Sequence, residues 1–377
     1  MVALARKSLL HEWRRFLPAC VAIGVAGILL LLQAALLRGI FGSASVCIRQ
    51  SDADLWVGYP GTPTVELGRP VPERIAMRLL VDRQVARIEP FQWFDGEWRR
   101  TERSTGLPVY IAGINPHSDG LMFARALTLA ERNQLTDPGA VIVDRADIGK
   151  LGVAIGDVAW INGHRVRLVA TAAGLRALGG INVLASYSTA RYLAADYSRA
   201  EDVAFWVARL RDGIDPAAAS SRLSPRGHNE DYEVWTAEAF ASRASAYWLL
   251  ETGAGLGFIF LASVIFISGA VIATQSMNAA VLASLPEYAT LRALGVGEPQ
   301  LRRVVLEQTL WVGAFGLLLA LATTSVVIPL AHSQDVPAEL DAYTALLCSS
   351  AILLLILVTG VLAARSMRGS DPAALLR

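Results

Sequence analysis

Lysine is almost missing from this chain. Among 377 residues only Lys7 and Lys150 are lysine. That scarcity excludes one class of activity at once, because a phosphate-cradling P-loop needs a lysine directly after its second glycine. Lys7 follows Arg6. Lys150 follows Gly149, but the position of the first glycine holds Asp144. The chain is therefore expected to hydrolyse no nucleotide by that motif. Cysteine is scarce too: Cys20 and Cys348 lie in apolar runs and Cys47 stands alone, so no disulfide framework or CxxC metal site is available. The five histidines, His11, His117, His164, His228 and His332, form no HExxH pair, and no GxSxG occurs. Asp144 and Asp147 could be read as paired carboxylates, but the ordinary reading is a helix N-terminus favoured by the macrodipole. No residue is assigned a catalytic, cofactor-binding or metal-binding role. A formal net charge of +1 gives no reason to expect nucleic-acid binding.

What the chain has in excess is apolar sequence. Hydrophobic residues make up 54% and mean hydropathy is +0.42. A bilayer core of about 30 Å needs about 20 apolar helical residues. Four segments qualify: 17–40, whose apolar run is Leu17 to Leu37, and then 249–275, 304–331 and 344–365. The first run is longer than the ~7–15 apolar residues of a cleaved signal peptide, so it is expected to stay. Gln33 within it either bonds a neighbouring helix or is tolerated near the outer end.

Orientation follows from the short loops. Arg6, Lys7, Arg14 and Arg15 precede the first segment, Arg292, Arg302 and Arg303 follow the second, and Arg365, Arg368 and Arg377 end the chain. The stretch after the third segment has only Asp335, Glu339 and Asp341. Both termini are thus expected in the cytoplasm. The expected plan is a multi-pass α-helical membrane protein with four transmembrane helices and a large α+β periplasmic domain inserted between the first and second. In detail, 1–16 is a cytoplasmic amphipathic helix, 41–248 the periplasmic domain with its stalk, 276–303 a cytoplasmic segment, 332–343 a short periplasmic loop and 366–377 a cytoplasmic tail.

Within the inserted domain "DADLWVGYP", "AVIVD", "GDVAWI", "HRVRLVATA", "DVAFWVARL" and "YEVW" read as strands, with Asn162-Gly163 a hairpin turn. "PERIAMRLL" and "DPAAASSRL" read as helices. A strand-rich lobe is expected within 113–190. From Thr236 a helical pattern runs without an evident breaker into the second membrane segment, which predicts a continuous stalk. No exposed apolar stripe that would mark a lipid site is evident in this domain.

The stretch "LPEYATLRALGVGEPQ", residues 285–300, interrupts the membrane-like sequence. Glu287, Arg292, Glu298, Arg302 and Arg303 would cost about 3 kcal/mol each at the bilayer centre, so it lies in water. Pro286 and Glu287 suit a first helical turn, Tyr288, Leu291 and Leu294 share a face, and Gly295 suits a helix end. Glu298-Pro299 starts a second helix that runs into the third segment. Such a knob fits docking to a soluble partner, and equally an interfacial turn that touches only lipid.

The segment resembles the cytoplasmic coupling helix of FtsX-like ABC transporter permeases, the superfamily of MacB and LolC, with the DevC branch the nearest likeness. "LARKSLLHEWRRF", "DADLWV", "FASRASAYWLLETGAGLGF" and the terminal "DPAALLR" agree, while Val296-Gly297 departs from the bulkier residue expected there. The resemblance implies a permease of a bacterial inner membrane, without enzymatic activity, that forms a homodimer in membrane lipid and docks two copies of a separate ABC ATPase, which binds ATP and Mg. It implies docking through Glu287, Tyr288, Leu291, Arg292, Leu294 and Gly295. It further implies mechanotransmission to the periplasmic domain, together with an HlyD-like membrane-fusion adaptor and an outer-membrane duct, for export of a lipid, glycolipid or other amphiphile. Alternatives within the superfamily are an FtsX-like signalling subunit that activates a cell-wall hydrolase and a LolC-like permease for lipoprotein release. Small residues that permit close helix approach, Gly24, Gly27, Gly255, Gly257, Ser263, Ser268 and Gly269, are candidates for the dimer seam.

Overall fold

The computed structural model describes residues 13–194, 203–225, 231–284, 290, 296–334 and 336–366. Two compact units emerge, one made of 1–39 with 255–377 and the other of Ile40–Ala254. The chain opens with helix α1, Trp13–Ser43, which is apolar along nearly its whole length.

The second unit starts with a short helix α2, Val46–Arg49, and strand β1, Leu55–Gly58. Helix α3, Arg74–Val81, leads to β2, Val85–Arg99, and β3, Leu107–Ile114. Then come α4, Leu129–Gln134, β4, Ala140–Asp144, α5, Ile148–Leu151, β5, Val158–Ile161, β6, His164–Ala172, and β7, Ile181–Ser186. The unit closes with α6, Tyr187–Leu193, β8, Phe205–Leu210, α7, Pro216–Leu223, β9, Glu233–Thr236, and α8, Ala237–Ala246.

β2 organises the unit. At 15 residues it reaches about 50 Å, nearly three times the usual strand. Its first half joins an antiparallel sheet in the order β2-β8-β1-β9. Its second half joins a ring, β2-β3-β7-β4-β6-β5, that closes back on β2. Closure leaves that ring no free edge. The expected lobe within 113–190 is this barrel. Its strands span a wider stretch, because β3 begins at Leu107 and β2 contributes from Gln92.

Local chemistry explains the turns. Asn162 and Gly163 both have positive φ, 51° and 82°, the two-residue hairpin geometry that these residue types favour. Asp215 accepts from the amides of Ala217 and Ala218, and Thr236 from that of Ala239, which starts α7 and α8 where β-structure ends. The sheet core is aromatic: the Trp56 ring lies 5.6 Å from Phe91, 5.6 Å from Phe205 and 5.5 Å from Phe240.

The stalk departs from expectation. α8 ends at Ala246, a π-helical turn covers Tyr247–Glu251, and Gly253 turns left-handed at φ 76° before helix α9 begins at Ala254. Tyr247–Leu250 stay apolar and no proline interrupts the run, which hides the break in the sequence. Glycine adopts the left-handed conformation without the steric cost that other residues meet.

The first unit is completed by α9, Ala254–Ala283, α10, Glu298–Ser333, and α11, Ala342–Ser366. With α1 these are four helices long and apolar enough to cross a membrane. They pack through glycine. A Cβ on Gly24 would stand 2.8 Å from Leu319, one on Gly316 2.8 Å from Ile23, and one on Gly313 2.5 Å from Ile356. Small residues thus set the backbone approach of α1, α10 and α11.

Candidate functional site

The segment between the second and third long apolar helices is the first candidate. Glu287, Tyr288, Leu291, Arg292, Leu294 and Gly295 lie outside the described residues. Their flanks are described. Met277, Ala280 and Val281 near the end of α9, and Leu301 and Val305 near the start of α10, belong to one buried cluster with Phe16, Ile23 and Ile356, and Val296 packs against it. Gly297 caps α10, its amide donating to Gln300 Oε1 at 3.3 Å, and Pro299 occupies the first turn, where its missing N–H costs nothing. The two helix ends that flank residues 285–295 are thus held in a common core.

The small residues of the long apolar helices sit in two kinds of environment. Gly24 and Gly27 face Leu319 and Ala320 of α10, and Gly269 faces Ala26 of α1, so these three are used within the chain. Gly255 is buried. Gly257 meets nothing within 4 Å, and Ser263 and Ser268 are exposed. Ser268 lines an apolar groove of about 630 Å³ between α1 and α9, beside Val21, Val25, Ile265 and Ile272. Gln33 donates to the Phe258 carbonyl at 2.7 Å and so links α1 to α9.

In the Ile40–Ala254 unit the acidic pair is structural. Asp144 accepts from the Ala146 and Leu175 amides at 2.9 and 2.8 Å, and buried Asp147 meets Lys150 at 3.1 Å. The Cys47 thiol is pushed well up by burial, with Glu66 adding to the effect, which leaves it an unreactive core group. Among the described residues no three His, Cys, Asp or Glu side chains gather as metal ligands. A cleft of about 750 Å³ is lined by Arg49, Arg125, Asp54, Asp215 and Glu238. Asp54 and Asp215 in it are already engaged by backbone amides.

A buried ionic network went unread in the sequence. Arg132 of α4 is 2% exposed and donates to the carbonyls of Asn115 at 2.9 Å and of Met122. Glu89 of β2 is equally buried and accepts from the Leu121 amide at 2.8 Å and from Asn115 Nδ2 at 3.0 Å. Burial lifts the Glu89 carboxyl above its usual range, against the pull of these bonds and of Arg87 and Arg132. Desolvation lowers the Arg132 guanidinium. Together they hold loop 115–127, in which buried Phe123 has φ 52°, a strained value for a bulky residue.

A family model described as the FtsX-like permease C-terminal region matches residues 258–372, which take in most of α9 and all of α10 and α11. Over those residues the chain is similar to FtsX-like permeases. Ahead of the matched region lie α1 and the Ile40–Ala254 α/β unit, and the four long apolar helices make this a multi-pass membrane protein. Two solved structures are similar in part. The periplasmic region of MacB from Actinobacillus actinomycetemcomitans is 12% identical, covering 52% of this chain and 94% of that one, with a TM-score of 0.35. The extracellular domain of the noncanonic ABC-type transporter YknZ from Gram-positive bacteria is 13% identical, covering 49% and 100%, with a TM-score of 0.33. A comparison with curated proteins finds no match.

Proposed function

We propose that the chain is the membrane subunit of an ABC-type exporter of the DevC branch, driven by a separate ATPase. Two copies of the chain pair with two copies of the ATPase. The Ile40–Ala254 unit works outside the cytoplasm with an adaptor and an outer-membrane duct on a lipid, glycolipid or other amphiphile. The observation that carries the reading is the FtsX-like match over the last three long helices, with a large α/β unit inserted ahead of them.

The geometry gives this proposal a mechanical basis. The ends of α9 and α10 that flank 285–297 share one buried cluster. Force applied by a partner at Tyr288 or Leu291 would enter two packed helices rather than dissipate in a loop. Glu287 and Arg292 would orient the partner through rim charges, and Gly295 would end the helix. The path toward the inserted unit then runs through the π-turn and Gly253 instead of along one unbroken rod.

The test is replacement of Tyr288 and Leu291 together by Ala, with membrane yield as the internal standard. The expected result is loss of ATPase co-purification and of export at unchanged yield, because aromatic and aliphatic anchors dominate most interfaces. The matching pair Leu129→Ala and Ile155→Ala, both exposed in the inserted unit, should leave ATPase binding intact. Co-purification of the ATPase at the wild-type level by the Tyr288/Leu291 variant would sink the docking assignment.

A further inference from the structure

The apolar run of α1 ends on a single cation, Arg38, and residues 334–341 between α10 and α11 hold Asp335, Glu339 and Asp341 but no lysine or arginine. The two stretches meet. Arg38 Nη1 lies 3.2 Å from Asp341 Oδ1 and donates to Thr344 Oγ1 at 2.9 Å. The same Asp341 oxygen accepts from the Thr344 amide at 3.1 Å, which caps the start of α11. With 42 and 43% of its two side chains exposed, the ion pair alone contributes little.

The backbone fastens more. The Glu339 amide donates to the Ala35 carbonyl at 3.0 Å, and the Val336 amide to that of Ala331 at 2.9 Å. Ala338 is buried, and its carbonyl accepts from His332 Nε2 at 2.6 Å. Leu340 packs on the cluster of Leu31, Ala320 and Cys348, one residue from each of α1, α10 and α11. A Cβ on Gly39 would run into the Pro337 carbonyl, so glycine is what lets residues 336–341 lie this close to α1. These contacts tie α1, α10 and α11 together at the C-terminal end of α1. α9 is joined differently. The Trp248 indole approaches the Glu66 carboxyl, so the π-turn belongs with the inserted unit. Glu251, Thr252, Gly253 and Ala254 are all exposed, and Gly253 is left-handed. The side-chain bonds of Thr252, to the Trp248 carbonyl at 2.6 Å and from the Ala254 amide at 3.4 Å, stay local. A segment without buried side chains is where a protein opens most readily.

Two chain connections join the units: α1, one helix from Trp13 to Ser43, and the stretch from α8 to α9. We propose that residues 336–341 form a clasp that makes α1 the fixed connection, and that Glu251–Ala254 is the joint at which α9 turns. A joint of this kind needs only a few residues that can absorb a change of φ and ψ, and glycine crosses between left- and right-handed backbone most freely. Motion of α9 is then taken up at Gly253 while α1 keeps its seat, so the inserted unit pivots on one helix instead of riding on two equal rods. What drives the motion rests on the exporter reading given above. The clasp and the joint do not.

The experiment is amide hydrogen exchange, read by mass spectrometry on the full chain in lipid nanodiscs, alone and with its ATPase. In the chain alone, residues 336–341 should exchange at least about tenfold more slowly than 251–254. With the ATPase bound, trapping by ATP and vanadate should change exchange at 251–254 by about threefold or more and leave 336–341 as it was. Equal exchange in the two segments, a nucleotide response at 336–341, or none at 251–254 with the ATPase bound would overturn the proposal. Gly39→Val, whose side chain displaces Pro337, should speed exchange at 336–341 by about tenfold, and Arg38→Leu, which removes the ion pair without adding bulk, by about threefold. Slow exchange across β3 in both variants reports that the inserted unit still folds, and Arg38→Leu decides the matter where Gly39→Val does not fold. Unchanged exchange at 336–341 in the folded variants would overturn the clasp. A wild-type chain that recruits no ATPase refutes the exporter reading, while the exchange contrast in the chain alone still decides the clasp.

Discussion

Arg132→Met removes a buried cation while keeping most of the side-chain volume. In the native fold Arg132 donates to the Asn115 and Met122 carbonyls, and a weaker contact reaches His117 at 3.5 Å. A hydrogen bond from a charged donor contributes roughly 1.5–3 kcal/mol. Two good bonds, together with the buried carbonyls left without their donor, come to about 3–5 kcal/mol, and the apolar methionine returns about 1 kcal/mol, while Glu89 keeps its pairing with Arg87. The expected net loss is about 3 kcal/mol. For a domain of this size each kcal/mol shifts Tm by roughly 2–4 °C, so the inserted unit should melt about 6–12 °C lower. Tryptophan fluorescence of the full chain in detergent reads that transition, because Trp56 and Trp93 lie in the same buried cluster as Met122 and Phe123 of the loop. Arg125→Met is the control, since that guanidinium is mostly exposed and sits 3.6 Å from Asp52, and it should cost under about 0.5 kcal/mol. A Tm for Arg132→Met within about 2 °C of wild type would refute the claim that this arginine holds the loop.

Glu89 makes a pH-dependent contribution of defined sign. Its folded pKa is raised, so the carboxyl's contribution is fully present below the unfolded value of about 4.3 and is lost as pH rises through the folded value. Glu89→Gln should therefore flatten that part of the stability profile, and equal slopes in variant and wild type over mildly acidic pH would contradict it. For orientation, an impermeant thiol reagent should reach cysteine placed at Asn162 and at Arg292 from opposite sides of the membrane. Labelling of both from one side would overturn the cytoplasmic placement of residues 276–303.

The long apolar runs were readable because four of them exceed what a soluble core helix needs, and the strands of the inserted unit because alternation and turn residues bound them. "AVIVD", "HRVRLVATA" and Asn162-Gly163 fall where the sequence puts them. The fused length of β2 was hidden by Pro90 and Gly96, residues that normally argue against a strand interior. Barrel closure was unreadable for a different reason: it depends on β3 meeting β7 about seventy positions later, which no local pattern encodes. Nothing local marks Arg132 as buried, since its burial comes from loop 115–127 folding over it.

The shared strand also fixes an order of assembly. All the pairings that close the barrel lie within residues 92–186. The four-stranded sheet needs Leu55–Gly58 together with Phe205–Leu210 and Glu233–Thr236. During synthesis the ring has all its strands while the sheet still lacks two of its four. The first half of β2 must then wait, attached to a finished barrel, for a partner not yet made, and its unpaired edge is open to intermolecular pairing until β8 arrives.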